Sequence, residues 1–174
     1  MPTIMDQTTS DPATLPAAEP VSLPTVTYNP VDRTVSATVV TSWDPIVGLI
    51  IQAPIIAIPK GGESLFWTVL WTIQRDNTLQ AASFNSSSDG VEVPTHGTTM
   101  PPGVGLLTSG PVEQALDKWK ITIDNRAEAA SPFNYTLSIA GTPTSFVPDV
   151  TTGKPQRMLR KYDPTIVVTL DPMT

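Results

Sequence analysis

A chain of 174 residues and 18.6 kDa with no cysteine is long enough to bury one core without disulfides, and it has no thiolate for a metal site, a disulfide framework or a cysteine nucleophile. Sixteen acids against ten lysines and arginines leave a formal charge of −6, which argues against general nucleic-acid binding, because such modules present a net basic face. Nineteen prolines, set between short apolar runs, disfavour helices, where proline removes a hydrogen bond and clashes with the preceding turn, and predict an all-β protein.

Residues 1–20, MPTIMDQTTSDPATLPAAEP, have no periodicity and little to bury. They predict an extended Pro-rich N-terminal arm, with 21–174 as a single domain. The stretch also lacks the cationic and apolar regions of a secretory signal. The expectation is a chain that stays in the cytoplasm or joins an extracellular or particle assembly without a cleaved leader. Strand-like alternation starts at LPTVTY and is clear in TVSATVVTSW, where Val35, Ala37, Val39 and Trp43 share one face and Thr34, Ser36, Thr38 and Ser42 the other.

The run from Ile46 to Gln74, IVGLIIQAPIIAIPKGGESLFWTVLWTIQ, is the most apolar of the chain. It is no membrane helix, because Gln52, Pro54, Pro59 and the Gly61-Gly62 pair interrupt it well short of the roughly 20 apolar residues a helical span needs. Nor does it suit a spanning hairpin, since both parities are apolar and Pro54 would remove a ladder hydrogen bond. It predicts two strands joined by PKGGE, whose glycines allow a turn. In the second strand Leu65, Trp67, Val69, Trp71 and Ile73 make the core face. Phe66 and Leu70 then stand on the outer face, with Ile50, Ile56 and Ile58 as candidates to join them. Such a cluster predicts an interface, covered either by another subunit or by the arm.

Asp76-Asn77 predicts a tight hairpin between the strands on either side, with Trp71 opposite Ala82 and Val69 opposite Phe84. Next, NSSSDGVEVPTH sets Asn85, Ser87 and Asp89 before Gly90, faintly like the first half of a calcium loop. His96, however, stands where such a loop requires its bidentate glutamate, so an ordinary turn is expected. His96 is the one histidine of the chain, and without a strained serine elbow beside it no catalytic residue is predicted. The Asn-x-Ser/Thr triplets at Asn85 and Asn134 matter only in a secretory pathway.

GPVEQALDKW is the one stretch suited to a helical turn. Two-residue alternation returns in WKITIDN, FNYTLSIAG and TIVVTL. Between the last two lies KPQRMLRK, with Lys154, Arg157, Arg160 and Lys161, four of the ten cations of the chain. These could grip an anion or an acidic partner. The plainer reading is a solvated loop before the last strand, balanced by Asp149 and Asp163, since only the flanking Tyr162 offers a stacking ring.

Four tryptophans, Trp43, Trp67, Trp71 and Trp119, invite a sugar-stacking role, but each lies on the apolar parity of its strand and is expected in the core. A sugar site would draw instead on Asn85, Asp89 or Asn125. The elements together predict a two-layer β-sandwich of immunoglobulin-like or jelly-roll type that needs no metal and no cofactor. The function expected is that of a non-enzymatic assembly subunit, a homo-oligomer or a shell, coat, decoration or appendage component. A lectin-like or lipid-binding module using loops at one end is the alternative, and a pore-forming protein is third.

Overall fold

The computed structural model describes residues 22–60, 66–85, 90–93, 101–106, 111–144, 153 and 156–170. The predicted arm, Leu65, Ser87, Asp89, His96, Asp149 and Lys154 therefore lie outside the described residues. Every regular element among those described is a strand, and together they make a β-sandwich.

One layer is a seven-stranded sheet whose main path is β1 (Thr25–Asn29), β2 (Thr34–Asp44), β5 (Trp67–Arg75), β10 (Lys118–Asn125) and β8 (Val104–Leu106). Two short strands extend it: β3 (Gly48–Gln52) pairs with β2, and β9 (Val112–Ala115) pairs with β10. Opposite stand two smaller sheets. One is three-stranded, in the order β11 (Ser131–Asn134), β14 (Thr165–Val168), β4 (Ile56–Ile58). The other orders β13 (Met158–Tyr162), β12 (Thr136–Pro143) and β6 (Leu79–Phe84), with β7 (Val91–Glu92) also on β12.

Parity builds the core as the alternation predicts. Val35, Ala37 and Val39 of β2 and Trp67, Val69, Trp71 and Ile73 of β5 are buried. Trp71, fully buried, lies in register with Ala37 on one side and Trp119 on the other. A small neighbour on one strand leaves volume for the indole on this close-packed face. Its Nε1 donates to the Tyr135 hydroxyl at 3.2 Å, with the two ring centroids 5.3 Å apart. Burial holds the Tyr135 phenol well above its ordinary pKa, against the smaller opposing effect of that hydrogen bond. Trp67 and Trp119 are also buried, and Trp43 is half-buried against the same core.

Three local expectations change. Asp76-Asn77 joins no hairpin: β5 already has β2 and β10 on its two edges, so β6 crosses to the other layer and pairs with β12. The corner is held by Asp76, whose carboxylate accepts from Thr78 N at 2.9 Å and from the Thr78 hydroxyl, and by Trp43 N donating to Thr78 Oγ1 at 2.7 Å. GPVEQALDKW holds no helical turn; its residues form β9 and the start of β10, a hairpin around Leu116 and Asp117. The run predicted as one strand through Pro54 is two, β3 in the large sheet and β4 in a small one, where β4 runs parallel to β14. Pro54 stands at that crossing, where its missing N–H breaks no ladder. This excursion through β3 and β4 is also the crossover that lets β2 and β5 lie side by side in parallel.

Candidate functional site

The crossing at Ala53 to Ile55 decides which apolar residues reach the surface. Because the chain changes sheets there, the outward parity of β3 does not carry into β4. Ile56 and Ile58 are fully buried, paired in register with Ile166 and Val168, and they leave the predicted outer-face set. Ile50, Phe66 and Leu70 are half-buried on outward-facing positions.

The outer face of the large sheet is a hydroxyl surface. Successive cross-strand rows read Thr25, Thr38, Thr72 and Lys118, then Thr27, Ser36, Leu70 and Lys120, then Asn29, Thr34, Thr68 and Thr122. Leu70 thus has Ser36 and Lys120 as its cross-strand neighbours, and no contiguous apolar patch forms around it.

Among the exposed large apolar residues, which also include Val31, Ile55 and Leu116 on other segments, Ile46, Val47, Leu159 and Tyr162 belong to the side of the sandwich where β3 and β13 run close together. β2 and β3 are joined by Pro45, Ile46 and Val47, with Gly48 at φ +92° opposite Asp44. A three-residue hairpin loop closed by a left-handed residue favours glycine at that place. Asp44 Oδ1 accepts from Ile46 N at 2.7 Å and Val47 N at 2.9 Å. Those two hydrogen bonds stabilise the carboxylate and lower its pKa from the ordinary value. With its backbone so tied, the turn presents Ile46 at 94 % exposure and Val47 at 64 %.

Val47, Gly48 and Leu49 form one wall of a cleft of about 290 Å3, and Met158, Leu159 and Arg160 form the other. Leu159 is 57 % exposed and Tyr162 37 %. Arg160 Nη1 donates to the Leu49 carbonyl at 2.6 Å, bridging the two layers. The layers also meet closely because Gly141 faces Leu49: a β-carbon there would lie 2.8 Å from Leu49 Cδ1.

From Met158 on, the basic segment is a strand where a loop was expected, since residues 158–162 pair with β12; Arg157 stands just before it. Arg157, Leu159 and Lys161 share one parity, and all three are exposed. Among the described residues β13 pairs only with β12 and β3 only with β2, so each has one edge without a neighbouring strand.

No protein-family model, curated protein or solved structure matches this chain. Any functional reading therefore stands on this geometry. Asn125, considered from sequence for a sugar site, is fully buried and bonded to the backbone of the core. Among the described residues no group of three or more His, Asp or Glu side chains converges on a metal-sized site, and no helix is long and apolar enough to cross a membrane. Sequence reasoning passed over Ile46 and Val47. The available signal was SWDPIVG, an Asp-Pro and Gly turn frame around two large aliphatic residues, where polar residues are usual.

Proposed function

We propose that this protein is a non-enzymatic assembly subunit that docks through the side of its sandwich, at the cleft between β3 and β13. The observation that carries the reading is the exposure of Val47 and Leu159 in the walls of one cleft, with exposed Ile46 next to Val47, Arg160 in the wall, and Arg157 and Lys161 next to that wall along the chain. Scattered exposed aliphatics need no explanation, but a cluster with a cationic rim has the composition of an interaction surface. The edges of β3 and β13 that have no neighbouring strand among the described residues add backbone donors and acceptors that an extended partner segment can pair.

Charge supports a partner of the same kind. Four of the ten cations fall within residues 154–161 and none of the sixteen acids does, so the rest of the chain carries six cations against sixteen acids. A basic strip on an otherwise acidic molecule complements other parts of the same molecule. Contact between unlike surfaces of identical chains is heterologous, and it closes into rings or propagates as filaments.

The test is the solution mass across concentration and salt. The parent should associate, more weakly at high salt. Ile46→Ser with Val47→Ser should shift the mass toward monomer while leaving unfolding cooperative, because neither side chain contributes to the core. A parent that is monomeric at every concentration and salt refutes the proposal.

A further inference from the structure

We infer that the occupant of the β3–β13 cleft is the acidic N-terminal segment of the chain itself, residues 1–21, supplied by a second copy. This rests on the assembly reading above and names the partner segment. Residues 1–21 carry Asp6, Asp11 and Glu19 and neither lysine nor arginine, so their charge is opposite to that of the strip formed by Arg157, Arg160 and Lys161. Within them, Thr3 to Asp11 is free of proline. Nine extended residues span about 30 Å, whereas the five of β13 need about 17 Å, so this stretch can follow the whole edge of that strand with every backbone N–H available.

The side-chain spacing agrees. Arg157, just before β13, and Leu159 and Lys161 on its outward parity give an aliphatic residue with a cation two places away on either side. In the segment, Ile4 and Asp6 are also two places apart. With Ile4 set beside Leu159, an antiparallel addition brings Asp6 beside Arg157, and a parallel one brings it beside Lys161. Charge and apolar contact can thus be matched in either direction of edge-strand addition. Each proline at 2, 12, 16 and 20 fixes its own φ and biases the residue before it away from helix, which lowers the ordering cost of binding.

Reach also permits it. The described chain begins at Ser22, whose Oγ accepts from Gln74 Nε2 at 3.1 Å on the outer face of the large sheet. The ten residues between Asp11 and Ser22 extend to roughly 35 Å, enough to cross from one sandwich to the side of a neighbour.

A charge swap in the full chain tests the pairing. One variant carries Asp6→Lys and Asp11→Lys. The other carries Arg157→Glu and Lys161→Glu and keeps the structural Arg160. Each alone should shift the mass toward monomer, with association weakened by up to about fivefold for each exposed pair lost. Mixing the two variants should restore the assembly, because each then supplies the charges the other lacks. If the first variant assembles like the parent while the second does not, the segment is not the occupant, although self-association through the cleft stands. Equal assembly of both variants and the parent overturns this inference as well. If the parent is a monomer whose segment is protected from protease in a way that Arg157→Glu with Lys161→Glu abolishes, the segment is the occupant within one chain, and self-association is overturned.

Discussion

Asn125 is a single side chain that holds three parts of the fold, and replacing it gives the sharpest test of the packing described here. Fully buried, it donates from Nδ2 to the carbonyls of Ile58 at 2.8 Å and Thr169 at 3.1 Å, and its Oδ1 accepts from Ala127 N at 3.1 Å. It thereby links β10 of the large sheet to the ends of β4 and β14 in the facing layer. In Asn125→Ala the Ile58 carbonyl keeps its hydrogen bond from Thr169 N at 3.0 Å. The Thr169 carbonyl and the Ala127 N–H each lose the Asn125 partner. A buried polar group left unpaired costs about 1–3 kcal/mol; the Ala127 N–H is such a group, while the Thr169 carbonyl is half-buried and adds less, so the variant is destabilised by about 1–4 kcal/mol. That is a large share of the roughly 5–15 kcal/mol typical of a domain, and it corresponds to a fall in Tm of about 2–16 °C at this chain length.

Urea unfolding should show a lower midpoint at unchanged slope, since the surface exposed on unfolding is the same. Asn125→Asp adds a check by sign. Its second oxygen would face two carbonyls in a buried site, so the folded protein favours the protonated acid and the carboxyl pKa rises. A group whose folded pKa is raised contributes its stability below the unfolded value and loses it as pH climbs through the folded one. That variant should therefore be more stable near pH 4 than near pH 7, relative to the parent. An Asn125→Ala protein with parent stability and a lost glycan affinity would show that this residue faces a ligand, and the core assignment would fall.

Tyr135→Phe leaves the Trp71 indole N–H without its acceptor and should cost about 1–3 kcal/mol near neutral pH. In the parent the phenol resists ionisation when folded, so stability is present below the unfolded value of about 10 and falls as pH rises above it. The deficit of the variant should accordingly narrow in urea melts carried from neutral to alkaline pH, and a constant deficit would contradict the burial of that hydroxyl. Asp44→Asn keeps an acceptor for the Ile46 and Val47 N–H groups but removes the charge. Because the folded carboxyl pKa is lowered, the parent holds this contribution above the ordinary carboxylate range and loses it as pH falls through the folded value. The variant should lack that acid-side loss, which stability measurements carried down through and below the ordinary carboxylate range will check.

Much of this molecule follows from periodicity alone. Two-residue alternation identifies the core faces of β2, β5 and β10, because neighbouring side chains on a strand must point to opposite sides. Cysteine-free composition and the proline count likewise bound the class to a disulfide-free β protein. Periodicity does not say which strand pairs with which. Asp76-Asn77 has the local chemistry of a hairpin, yet β5 has no free edge, and only the whole sheet determines that. The same reason governs the apolar run. Ile50 and Ile56 have the same sequence parity, but the chain changes layers between them, which sends Ile56 into the core while Ile50 stays near the surface. The cleft lay beyond local reading because it joins Val47 to Leu159, residues more than a hundred positions apart that meet only where the edges of two layers close the side of the sandwich.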